Sequence, residues 1–422
     1  MGRNSIYLAI GFTITCLLSG MNLSRVSVDA FSNAINYEEM SMAHNIVQAG
    51  TNFACNQLFL TPNWRDGYTN VPFAGGKFTT SVGFVVRGRD SSWIQIVSTG
   101  YYPADRPVDS ATIKILLQPS LFSKFAYFSN TDPGTIVWTT GDTVWGPYHT
   151  NTKIYTNGNP VFNGKTTTYQ GISKSNNSDK PQFNGGYESG VYITMPSDLS
   201  SLKGKAQQKI SGVTQGFYLN TKRDFYLNFN ANGTVTYRAD SVAGWTTTTL
   251  SAFAGPNQVV VIDGGNLHIK GTLNGQVTVA ALSNSTTKGG TVWVDSSVAY
   301  NTNPLTVPTS TDLLGVVATN YIEIKDTTYN NTAAGVTIQG ALFSMNDGLT
   351  AENYDTRKAP SGQTMSIHLL GGVSQQSRQP VGTVGSPGTG FKKSYNYDTR
   401  MLVTAPPSFP TTGAYEILEW LE

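Results

Sequence analysis

The chain has 422 residues, enough for two or three domains with cores of their own. Charged side chains make up only 13% of it, against about 25% in ordinary soluble domains, while Gly and uncharged Ser, Thr and Asn fill the difference. The 28 basic and 26 acidic residues leave a net charge of +2, and no stretch gathers Lys and Arg into a stripe able to neutralise a run of phosphates, so nucleic acid is excluded as a partner.

From Asn4 to Ser24, between Arg3 and Arg25, no residue is charged. Ile6, Leu8, Ile10, Phe12, Ile14, Leu17, Leu18 and Leu23 make this run apolar enough for one membrane-spanning helix. Gly11 and Thr15 sit at a spacing that lets helices approach closely in lipid. The apolar pattern then continues at helical spacing through Val28, Phe31, Ile35 and Ile46, and Pro62 stops it. The expectation is a rod of some 57 residues, about 85 Å long, of which only the first third fits in lipid. Its cysteines, Cys16 and Cys55, lie about 58 Å apart on such a rod and cannot bridge within one chain. Asp29, Glu38 and Glu39 supply its acidic groups, either as a solvated face or as partners for Arg3 or Arg25 of a neighbouring copy.

The basic residue before the span, the stretch Gly11-Phe12-Thr13-Ile14 and the segment from Ala43 to Ala54 resemble the N-terminus of type IV pilins, PilX-like minor pilins in particular. The resemblance implies a helix half embedded in the membrane and half covered by a globular head, with copies bundling into a filament. It also implies homo-oligomers or other pilin-like subunits as partners, and a place in a bacterial cell envelope or extracellular filament. The chain departs from the family where Gly11-Phe12 would be the processing junction, since the leader would be apolar and the fifth mature residue would be Cys16 rather than Glu. Cleavage after Gly2, or none, fits equally.

Between Lys77 and Leu117 apolar and polar residues alternate over Phe78–Val86, Trp93–Ser98 and Thr112–Leu117, which predicts three antiparallel strands with a turn near Asp90-Ser91. From Ser120 the texture changes to strands of three to five residues punctuated by Gly, Asn, Asp and Pro, with no helical period. That pattern predicts a β-helix or solenoid-like stack, with an irregular β-sandwich as the alternative. Ser173–Gly186 and Pro380–Gly390 read as linkers. The segments 144–151, 158–165, 395–400 and 406–410 resemble an uncharacterised bacterial surface-domain family of β-rich type, which implies architecture and place rather than chemistry. The predicted organisation is mainly β with one long α-helix: residues 1–62 an N-terminal membrane and assembly helix, 63–119 a small antiparallel sheet packed on it, 120–422 a β-rich body.

No zinc spacing, nucleophile elbow, P-loop, dinucleotide fingerprint or calcium loop occurs, so no catalytic residue, metal site or cofactor is expected. The sharpest alternative is a surface cleft of Asp142, Trp145, Tyr148 and His149, which would suit a glycan-binding adhesin or a β-helical polysaccharide-active enzyme held by the N-terminal helix. The competing reading has His149 bonding a turn carbonyl while Trp145 and Tyr148 fill the interior. Asp263 near His268 reads as turn chemistry, and Tyr397, Asp398 and Arg400 as a fastening of the C-terminal segment. The favoured function is a non-enzymatic, membrane-anchored or filament-forming pilin-like structural protein, with surface glycans as partners only of the alternative.

Overall fold

A computed structural model describes residues 2–87, 90–104, 109–283, 289–358, 365–383 and 388–422. The protein is mainly β, with one long N-terminal helix, a small antiparallel sheet and a large β-rich body. Helix α1, Arg3–Leu60, runs 58 residues and ends where the residue before Pro62 is barred from helical geometry. Thr13 and Thr15 turn their hydroxyls onto the carbonyls of Ala9 and Gly11, each at 2.8 Å, so these two hydroxyls are satisfied inside the helix. Cys16 and Cys55 are both free thiols.

The chain divides into two units, residues 1–119 with 414–422, and residues 120–413. In the first, strands β1 (Tyr68–Phe73), β2 (Gly76–Arg87), β3 (Asp90–Tyr102) and β4 (Asp109–Leu121) form a sheet whose fifth strand is Thr411–Leu421, laid beside β4. The three alternating runs of the sequence lie inside β2, β3 and β4. β3 already begins at Asp90, and residues 88–89 lie outside the described residues. The C-terminal strand corrects the expected boundary, which gave everything after residue 119 to the body. Ala43, Ile46, Val47, Gly50, Thr51, Ala54 and Leu58 recur every three to four residues on α1 and are buried under this sheet. Their partners include Ile94, Ile96, Ile113, Ile115 and Leu117, the inward residues of alternating strands. Gly100 permits the contact, because a Cβ there would stand 2.5 Å from the Ala43 carbonyl oxygen.

The second unit is a stack of coils. Its longest ladder runs, in spatial order, through Phe217–Asn220, Val259–Asp263, Gln276–Leu282, Leu313–Ala318, Val336–Ser344, Met365–Ser377, Tyr127–Thr131, Tyr148–Thr150, Thr166–Thr168 and Tyr187–Ser189, every pairing parallel. A second parallel ladder joins Phe225–Phe229, Leu267–Leu273, Val292–Tyr300, Ile322–Ile324 and Leu349–Ala351. Lateral links connect most strands into one network. Successive strands of both ladders pair in parallel, the register a solenoid-like stack requires. Antiparallel pairings over 209–214 and 225–249 interrupt it.

The order of coils is permuted. The first strand of the body, Tyr127–Thr131, lies mid-stack between Met365–Ser377 and Tyr148–Thr150. The chain winds from there to one end at Tyr187–Ser189 and returns along the side as a strap over residues 190–199. It then restarts at the other end with the helix Ser200–Gln207 and the strand Phe217–Asn220, and winds back to the middle. Entering and leaving segments meet there, the Phe122 amide donating to the Pro410 carbonyl at 3.1 Å. The Asn151 side chain brackets the strap, accepting from the Ile193 amide at 3.0 Å and donating to its carbonyl at 2.6 Å. The helix Ser200–Gln207, unforeseen in a sequence with Gly204 at its centre, buries Leu202 and Ala206 against the stack. A second short helix, Leu250–Ala254, is also at odds with the expected absence of helical period. Ser173–Gly186 is no linker, since it carries strands Ile172–Lys174 and Gln182–Phe183 of the ladder system. Within Pro380–Gly390, residues 384–387 lie outside the described residues.

Candidate functional site

Along α1, burial changes abruptly. From Ala43 onward one face is covered by the sheet, whereas residues 3–38 are exposed on every side. Ile6, Leu8, Ile10, Phe12, Ile14, Leu17, Leu18, Leu23, Val28, Phe31 and Ile35 are all exposed, Phe12 and Phe31 at 70% each. Ile46, assigned to the same surface from sequence, is instead fully buried in the head, because the stripe that meets the sheet begins at Ala43. The helix is long and apolar enough to cross a membrane. Arg3, Arg25 and Glu38 are exposed and Glu39 is half-buried, and among the described residues none of the four forms an ion pair. The head also places His44 3.7 Å from the Glu422 carboxylate.

The cleft expected at Asp142, Trp145, Tyr148 and His149 does not form. Tyr148 and His149 are both fully buried, while Trp145 points to solvent, 59% exposed. Asp142 accepts from the Thr139 amide at 2.8 Å in a tight turn. Adjacent residues of one short strand face opposite ways, so Tyr148 enters the interior and His149 faces outward beneath the segment carrying Phe125. His149 contacts the Thr167 hydroxyl at 2.6 Å and Asn151 Oδ1 at 2.8 Å, and burial lowers its pKa to about 4. Neither partner is a carboxylate, so the acid and base of a glycosidase are not assembled around it.

A different polar cluster stands where the last coils of the chain meet the first. The Tyr148 hydroxyl donates to Asp132 at 3.0 Å, and Trp138 Nε1 to the Tyr148 oxygen at 3.3 Å. The Arg378 guanidinium lies 4.2 Å from the Trp138 ring centroid and donates to the carbonyls of Ile136 and Val137. Burial raises the Asp132 pKa, opposed chiefly by the Arg378 charge. Thr156 Oγ1 and Arg378 Nε have no hydrogen-bond partner among the described residues. No local signal in the sequence joins Asp132 to Arg378, which stand on coils far apart in the chain.

The remaining polar residues singled out from the sequence have structural partners. Asp263 accepts from Lys203 and from Tyr218, both at 2.7 Å. His268 meets Asp295 at 2.8 Å and lies between the rings of Tyr226 and Trp293. Asp398 and Arg400 pair at 2.6 Å, and the Tyr397 hydroxyl donates to the Lys124 carbonyl. Among the described residues, no group of three His, Cys, Asp or Glu side chains is placed to hold a metal ion.

No family model matches the chain, and no curated protein matches it. Among solved structures it is similar to the crystal structure of competence-associated pilin ComZ from Thermus thermophilus, with 11% identity and a TM-score of 0.35 over 91% of this chain and 97% of that one. At that TM-score the likeness carries no argument about function.

Proposed function

We propose that the chain is a pilin-like structural subunit of the cell envelope, anchored by the first turns of α1 and self-associating through the rest of its exposed length. One observation carries this reading: the apolar exposed helix is longer than a membrane can cover. The charge-free run 4–24 spans about 31 Å at ~1.5 Å per residue, close to the ~30 Å hydrocarbon core. Residues 25–42 extend about 27 Å further with Val26, Val28, Phe31, Tyr37 and Met40 exposed. Fully burying one such side chain contributes about 1.5–3 kcal/mol, so a protein partner for this stretch is strongly favoured over water. Copies staggered by about 20 Å would bring Arg25 of one against Glu38 or Glu39 of the next.

The test is disulfide trapping of the full chain in native membranes, with Cys16→Ser and Cys55→Ser removing the native thiols and exposed Leu18→Cys with Phe31→Cys as paired reporters, spaced like Arg25 and Glu38 so that each chain can link to two staggered neighbours. A ladder of cross-linked oligomers is expected. Arg25→Glu should weaken it, and adding Glu38→Arg with Glu39→Arg should restore it. Cross-linking no better than that of a cysteine placed at exposed Tyr329 would reject self-association through α1.

A further inference from the structure

The strap over residues 190–199 does more than connect the two ends of the stack. Ile193 and Met195 point inward onto the core, while Tyr192 and Thr194 point outward, so the strap forms one wall of a groove of about 420 Å³. The opposite wall is built from coil edges. Asn130, Gln376 and Met345 occupy equivalent positions on three successive coils, one residue beyond the paired Ser129, Gln375 and Ser344, and Asn346 follows. No charged side chain lines the groove.

We propose that this groove holds an extended, neutral glycan chain lying parallel to the stack. Three features point to that ligand class. The polar lining is carboxamide and hydroxyl, from Asn130, Asn346, Gln376, Thr194 and Ser197, groups that both donate to and accept from sugar hydroxyls. Among the described residues the Gln376 side chain has no hydrogen-bond partner and the Asn346 side chain reaches only Asn320 at 3.4 Å, so these side-chain amides are available. Tyr192 is 57% exposed, and its ring is set edge-on by Tyr169 with centroids 5.4 Å apart, presenting a fixed apolar face to the C–H side of a pyranose. The coils repeat every ~4.8 Å, close to the length of one pyranose in an extended chain, so successive amides meet successive sugar units. A phosphate or uronate polymer would find no cation in the groove to replace its solvation.

The site is separate from α1, so it can fail or hold independently of the assembly proposed above. The experiment measures binding of cellotetraose, chitotetraose and tetragalacturonic acid to the full chain by isothermal titration and saturation-transfer NMR, in a detergent without a sugar headgroup. Saturable binding of at least one neutral tetrasaccharide is expected, with the uronate at least tenfold weaker. Tyr192→Ala and the pair Asn346→Ala with Gln376→Ala should each weaken binding at least tenfold, while Tyr329→Ala leaves it unchanged. Near-UV circular dichroism confirms that each variant is folded, and Tyr192→Phe, which keeps the ring, should retain binding. Absence of saturable binding by both neutral probes, preference for the uronate, or full affinity in folded Tyr192→Ala would each overturn the proposal.

Discussion

The Gln375 amide donates to the Tyr127 hydroxyl at 2.7 Å although 248 residues separate them, and its oxygen accepts from the Leu349 amide at 2.9 Å. One side chain thus ties together three coils, two from the end of the chain and one from its beginning. Gln375→Leu keeps approximate volume and leaves a buried amide and a buried hydroxyl without partners. The expected loss is about 2–4 kcal/mol of body stability, read as a lowered denaturation midpoint with an unchanged slope.

Arg378 stands beside that seam among Trp138, Tyr127 and Asp132. Arg378→Met removes two hydrogen bonds to carbonyls and takes from the buried Asp132 carboxylate its main countercharge, leaving the weaker one of Lys393, for an expected cost of about 3 kcal/mol. Adding Asp132→Asn should recover part of it, because the stranded charge is gone. Equilibrium denaturation of the two variants, compared through a double-mutant cycle, gives the coupling.

His149 makes stability depend on pH in a defined window. Its pKa is lowered by burial to about 4, against about 6.5 in an unfolded chain, so the unfolded state binds more protons between those values. Its contribution is complete above pH ~6.5 and is lost as the pH falls toward about 4, up to ~3 kcal/mol in all. The difference in unfolding free energy between the native protein and His149→Gln should therefore shrink steadily from pH 7 to 4. A difference that stays flat would place the titration elsewhere.

At Gly100 the backbone of β3 lies directly against α1. A β-branched side chain there meets the Ala43 carbonyl oxygen and the Val47 nitrogen, both backbone atoms that cannot rotate away. Gly100→Val should destabilise the head by about 3 kcal/mol and increase hydrogen exchange over residues 43–58 of α1. The body, with its separate core, should keep its own transition.

What the sequence reveals follows contact range. α1 and the strands β2, β3 and β4 are visible because their patterns, spaced by 3.6 and by 2, are local and long. β1 is short and interrupted by Pro72, and Thr411–Leu421 pairs across nearly 300 residues, so neither belongs visibly to the sheet. The body's short strands and Gly-Asn turns announce stacking, but not its order: nothing near Tyr127 says that Val373 will be its neighbour. The groove beside the strap is equally hidden, since Asn130, Tyr192 and Gln376 converge only once that order is known. At His149 two readings stayed open for another reason, as an exposed histidine and one covered by Phe125 share the same local sequence.

The permuted winding also sets a timetable. During synthesis Tyr127–Thr131 is made early, and one of its edges is paired as soon as Tyr148–Thr150 emerges. Its other edge waits for residues 373–377, roughly 250 residues later, which at ~5–20 residues per second is about 12–50 s of translation. For that interval the nascent protein carries an unpaired strand rich in aromatic side chains, an invitation to pair with another chain. Ribosome-bound chains arrested at residue 350 should accordingly be far more sensitive to pulse proteolysis near Tyr127 than the finished chain after release, which makes the finishing of the last coil the step that protects the first.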